Sequence, residues 1–121
     1  MRLWLLLAGV SGASAVIAGA LAAHAADQAA ADRLATAVRY QMWHALALLA
    51  VAWLASSGGG RVAAIAGWAF VAGTVLFCGS LYLSVLTGTD AATSAAPAGG
   101  AAFILGWLAL ALEGLRRPRR G

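Results

Sequence analysis

Long apolar stretches alternate along the chain with short polar ones. Residues 3–23, 38–55, 62–86 and 98–115 are runs of Leu, Val, Ile, Ala, Trp and small residues with very few charges. A hydrocarbon core about 30 Å thick takes roughly 20 helical residues to cross, so each run is predicted as a membrane-spanning helix. The second run is the shortest and reaches across only if it starts near Val38. Its polar opening, "RYQMWH", is then expected at interface depth, at the outer mouth of the span. Between the first two runs, "HAADQAAADRLATAV" is rich in alanine, carries spaced charges and lacks glycine or proline. It is predicted as a short amphipathic helix on the membrane surface that runs on into the second span. Turns are expected at "SSGGGR" and at "TGTDAATSAAPAGG", where Pro97 suits the start of the fourth helix. The expected fold is all-α, a single domain of four membrane helices in a bundle with that surface helix, followed by a basic tail at 116–121.

Composition strengthens this picture. Of 121 residues, 63% are hydrophobic and 10% are charged, against about a quarter charged in soluble domains. That is too little polar surface to coat a water-soluble globule, and lipid has to replace water around much of the chain. The net charge of +4 comes from eight arginines against four acids. Four of the arginines are Arg116, Arg117, Arg119 and Arg120, which read as a topology signal beside anionic headgroups and not as a nucleic-acid surface. With four spans, Arg2, Arg61 and the tail share one side, opposite Arg33 and Arg39 with Asp27, Asp32 and Asp90. The positive-inside rule then puts both termini in the cytoplasm, in a bacterial inner membrane. The first 27 residues also resemble a cleavable signal peptide, but the apolar stretch is longer than the 7 to 15 residues of a signal core, so a retained span is expected. Cys78 is the only cysteine and lies in an apolar run, where a thiol behaves as a small buried hydrophobe.

Helices in lipid gain little from hydrophobic exclusion, so small residues that let backbones approach carry much of the packing. Ser11, Ala15, Gly19 and Ala23 recur every fourth residue, and Ala69 with Gly73 and Ala102 with Gly106 repeat the spacing. Gly79, Gly99 and Gly100 are further candidates for helix contacts. Trp4, Trp53 and Trp107 are expected as interfacial or lipid-facing anchors.

The polar side chains of the second run need partners. Thr36, Tyr40 and His44 share one helix face, with Gln41 on the same side, and an unpartnered amide or imidazole in lipid costs roughly 2 to 7 kcal/mol by transfer estimates. Ser80, Tyr82 and Ser84 in the third run, and His24 at the end of the first, are the candidate partners. Hydrogen bonds that join helices are the plainest use of this cluster. Two histidines at one level can also hold a haem iron, and His44, Gln41 and Tyr40 beside an apolar slot can hold a quinone or a lipid headgroup. Solute or ion transport favours an ionisable group at mid-membrane, yet no acid lies in the middle of a span. No catalytic set and no metal cluster is legible, and no cofactor is expected.

Four blocks occur together: "GALAAHA", "TAVRYQMWHALALL", "GTVLFCGSLYLSVLTG" and "PAGGAAFILGWLALA". In order and spacing they resemble the domain of unknown function 423 family, the YgdD-like small bacterial membrane proteins related to transmembrane protein 256. The resemblance covers nearly the whole chain. Its pattern touches His24, Tyr40, Gln41, His44, Gly79, Ser80, Tyr82, Pro97, Gly99, Gly100, Gly106 and Trp107. The chain departs from it at Leu21 and Ala22, where phenylalanine and glycine are common, at Trp43 for a usual tyrosine and at Cys78 for a usual serine. The resemblance implies a four-helix inner-membrane protein and no particular activity. The leading expectation is a non-enzymatic accessory, assembly or organising subunit that meets the lipid bilayer and either a membrane-protein partner or a second copy of itself. A quinone-, lipid- or haem-binding module and a small-solute or ion transporter are the alternatives.

Overall fold

The computed structural model describes residues 1–25 and 27–118. Arg119 and Arg120 of the expected tail lie outside the described residues. Helix α1 is Arg2–Ala22, α2 is Gln28–Ser56, α3 is Gly60–Gly73, α4 is Gly79–Thr87 and α5 is Ala96–Arg116. A π-helical turn, Thr74–Cys78, joins α3 to α4 in one continuous rod, and a 3-10 turn, Ala91–Ala95, leads into α5. Among the described residues there is no strand. Three segments are long and apolar enough to cross a membrane: Arg2–Ala22, Gly60–Thr87 and Ala91–Arg116.

Local sequence explains where the rods stop. The Asp27 carboxylate accepts from the Ala30 amide at 2.9 Å and caps α2. Gly58, at φ +91°, turns the chain out of α2, and Gly88, at φ +69°, ends α4 with its amide on the Ser84 carbonyl. Pro97 sits in the first turn of α5, where its missing N–H is not needed. Residues 28–38 of the stretch expected to run on into the second span form the first turns of α2, continuous with the rest of that helix. With Asp27 capping it and no breaker before Ser57, the helix has no place to end between Gln28 and Ser56.

The rods pack as two antiparallel hairpins joined through α2. In the first, a Cβ at Gly19 would stand 3.4 Å from Val38, and one at Gly12 would stand 4.0 Å from Ala45. In the second, glycines and phenylalanines alternate across the contact of α5 with α3 and the π turn. Gly106 lies against the Phe70 ring, Gly73 against the Phe103 ring and Gly99 against the backbone of Phe77. A side chain at any of the three would need its neighbour to move. Of the expected small packing residues, Ala15, Gly73, Gly99 and Gly106 are buried at helix contacts. Gly100 has nothing within 4 Å of where a Cβ would be, and Gly79 meets only the Thr74 carbonyl, at 4.0 Å. Neither makes a close approach to another helix within this chain.

The tryptophans divide. Trp53 is exposed one turn before the end of α2, and the Arg117 guanidinium lies 5.3 Å from its ring centre. Trp4, expected as an anchor, is buried, because its ring fills the space above Gly67 and meets Trp68 edge-on at 5.3 Å.

Candidate functional site: a closed polar network at mid-bundle

Gly12 is the middle residue of α1 and Gly106 that of α5, and these residues set the depth of the site. Ala45 stands opposite Gly12, and Trp107 bonds His44. Gln41 and His44 therefore sit at the centre of the bundle and not at an outer mouth. Asp32 and Arg33 belong to the overhanging start of α2, and Arg39, two residues before Gln41, is exposed alongside α1. This mid-depth position corrects the expectation of interface depth.

Gln41 is the junction of three helices. Its Nε2 donates to the Ser11 carbonyl at 3.1 Å and to Ser14 Oγ at 2.7 Å, both on α1. Its Oε1 accepts from the Tyr82 hydroxyl of α4 at 2.5 Å. Ser14 Oγ in turn donates to the Ser11 carbonyl at 3.0 Å. Only one orientation of the carboxamide satisfies these partners, since carbonyls cannot donate.

His44 is held on both ring nitrogens. Nδ1–H donates to its own helix at the Tyr40 carbonyl, 2.6 Å away, and Nε2 accepts from the Trp107 indole N–H at 3.1 Å. A carbonyl only accepts and an indole N–H only donates, so the pair of partners fixes the neutral Nδ1–H tautomer. The ring also lies flat on Phe103, at 3.6 Å between centroids and 9° between planes, within a cluster that includes Tyr40, Phe70 and Phe77.

The other expected members fall elsewhere. Tyr40 joins through its ring and its carbonyl. Ser80 is buried but turns back to donate to the Phe77 carbonyl at 2.8 Å. His24 is exposed on the turn after α1, twelve residues beyond the Gly12 level, or roughly 18 Å along the axis. It does not meet His44, and with both nitrogens of His44 engaged the two-histidine haem arrangement is not present in this fold. Among the described residues, no group of three or more His, Cys, Asp or Glu side chains is placed to hold a metal ion.

Ser14, whose Oγ accepts from Gln41, the inward-pointing Trp107 and the Arg33–Asp90 pair were not read from the sequence. Trp107 keeps about half its surface exposed yet points its N–H inward, and nothing local signals that direction. At the far end of α2, Arg33 pairs with Asp90 at 2.5 Å and donates to Ser84 Oγ at 3.4 Å, fastening the start of α2 to the α4–α5 connection. Trp107→Phe removes the only donor to His44 Nε2 and leaves a buried acceptor unsatisfied. The expected loss is about 1–3 kcal/mol of stability in detergent, and the double variant with His44→Phe, measured by thermal denaturation, is expected to recover most of it.

Apolar helices of spanning length around buried, mutually satisfied polar groups define a small all-helical membrane protein. Residues 18–100 match the family described as "Protein of unknown function (DUF423)", and the chain belongs to that family. It is 37% identical to the UPF0382 membrane protein YwdK of Bacillus subtilis over 96% of this chain and 98% of that protein. It is 33% identical to a UPF0382 membrane protein of Staphylococcus epidermidis, over 96% and 98% of the two chains. With the UPF0382 inner membrane protein YgdD of Escherichia coli the identity is 32%, over 99% and 95%. No solved structure matches the chain.

Proposed function

We propose that the protein is a non-enzymatic inner-membrane subunit that crosses the bilayer four times, with α2 as the fourth span and both termini in the cytoplasm, and that it serves as an accessory or organising component of a larger assembly. The closed hydrogen-bond network carries this reading. Gln41, His44, Tyr82 and Trp107 spend their polar atoms on one another and on carbonyls, which makes them interhelical ties and leaves no free nucleophile or base among them. α1 buries only Trp4, Ala8 and Ala15, and Val16, Ile17 and Leu21 are exposed. That wide apolar face suits lipid or another membrane helix.

The charges support the orientation. Arg2, Arg61, Arg116 and Arg117 lie at one end, and Arg33, Asp32 and Asp90 at the other. A fluorescent protein fused after Pro118 is expected to mature in the cytoplasm, and a reporter active only outside it is expected to work when inserted at Asp90. The reverse pattern would overturn the orientation. For the assembly role, photo-crosslinkers at Ile17 and Leu108 in native membranes are expected to give position-specific adducts with protein. Lipid adducts alone at every exposed position, with a monomer in mild detergent, would sink it.

A further inference from the structure

At the arginine-rich end of the bundle a cleft opens between the end of α2 and the end of α5. Trp53, Ser57 and Gly58 line it on one side, and Glu113, Arg116 and Arg117 on the other. Arg117 bridges the two helices. Its Nε donates to Glu113 Oε1 at 3.1 Å, its Nη2 donates to the Ser57 carbonyl at 3.2 Å, and its guanidinium lies 5.3 Å from the centre of the Trp53 ring. The Glu113 charge is thereby matched. Arg116 is left over: it is exposed, and its guanidinium makes no hydrogen bond or ion pair with another described residue. The Arg117 Nη1 nitrogen is likewise unspent among the described residues.

We propose that this cleft binds the headgroup of an anionic glycerophospholipid of the cytoplasmic leaflet, with Arg116 and Arg117 Nη1 donating to its phosphate. Depth selects the ligand. Arg116 stands ten residues beyond Gly106, the middle of α5, which is roughly 15 Å along the axis and about half the thickness of the hydrocarbon core. On the four-span reading, on which this inference rests, the cleft therefore lies at the level of lipid phosphates. Below it the exposed surface turns apolar. Leu112 and Leu108 follow Arg116 at four-residue steps along α5, and Leu49 follows Trp53 along α2. A phosphate that carries a hydrocarbon chain matches both levels, whereas a soluble anion would use only the upper one. Charge selects the head. A net anionic headgroup meets the surplus charge of Arg116, while the ammonium of a zwitterionic one has only Glu113 to turn to, and Glu113 is already paired. Arg2 and Arg61 share this end of the bundle but do not line the cleft, so they report what charge alone would do.

The test is a titration of the full chain, purified in dodecyl maltoside, with dioleoylphosphatidylglycerol or dioleoylphosphatidylcholine, the lipid-bound species being counted by native mass spectrometry. The first phosphatidylglycerol is expected to bind about five times more tightly than phosphatidylcholine. Arg116→Gln is expected to erase that preference with an unchanged melting curve, because the side chain is exposed and ties nothing together. Arg61→Gln removes the same charge from the same end and is expected to keep the preference. Equal affinity for the two lipids in wild type, or equal losses in Arg116→Gln and Arg61→Gln, would overturn the proposal. Displacement of the lipid by inorganic phosphate would do so as well, since it would mark a soluble-anion site. The topology and the lipid site fail separately: inverted topology reporters with the lipid preference intact count against cytoplasmic termini, and correct topology without the preference counts against the site.

Discussion

Gly99→Ala lowers the thermal midpoint of the detergent-solubilised protein, and Gly100→Ala, one residue along the same helix, leaves it unchanged or slightly raised. The two differ only in what a new methyl group meets. At Gly99 it would run into the backbone nitrogen and Cβ of Phe77, and at Gly100 it finds open space. Backbone cannot rotate aside as a side chain can, so α5 has to retreat from the π turn. Retreat at that point also loosens the neighbouring contacts of Gly73 with Phe103 and Gly106 with Phe70. Overpacking of a tight contact costs typically 1–3 kcal/mol, and the upper end is expected here because three interlocked contacts move together. At Gly100 the only change is the helix preference for alanine over glycine, worth up to about 1 kcal/mol. Melting curves followed by circular dichroism separate the two. Equal shifts for both variants would mean that the glycine–phenylalanine interlock does not hold the second hairpin.

Gln41→Leu is expected to destabilise the bundle by about 2–3 kcal/mol while keeping its helical content. Interhelical hydrogen bonds in membranes average about 0.6 kcal/mol and reach about 1.7, and Gln41 makes three, two to α1 and one to α4. The substitution also strands the Tyr82 hydroxyl, and an unsatisfied buried group adds a penalty of its own. Gln41→Leu with Tyr82→Phe is expected to recover that last part. Stability equal to wild type in the single variant would show that the amide is decoration and not the tie between the hairpins.

The rods and their turns were legible in the sequence because their causes are local. Apolar run length marks the three segments long and apolar enough to cross a membrane, and Gly58, Gly88 and Pro97 set the breaks. The polar face of Tyr40, Gln41 and His44 was legible too, from helical spacing alone. Its depth was not, because depth depends on which residue of α1 faces which residue of α2, and no local pattern records that Gly12 pairs with Ala45. The same limit hid the inward turn of the Trp107 indole, the isolation of His24 and the return of Ser80 to its own helix. Small-residue spacing placed Gly99 and Gly100 in one group, although only one of them faces a neighbour. A spacing rule marks where helices can approach, and the rotation of each helix decides where they do.

α2 is poorly suited to entering lipid alone, with an amide and an imidazole at its middle and no apolar window of spanning length. α1 has no such difficulty, being apolar throughout and needing no partner. The ribosome delivers them in that order, at about 5–20 residues per second. On the four-span proposal, the Ser11 carbonyl and Ser14 hydroxyl are thus in the membrane a few seconds before the Gln41 amide that will bond them. The helix that can stand alone receives the one that cannot, and the Tyr82 hydroxyl arrives later to close the remaining oxygen. The order of helices along the chain is in this way also a schedule for biogenesis.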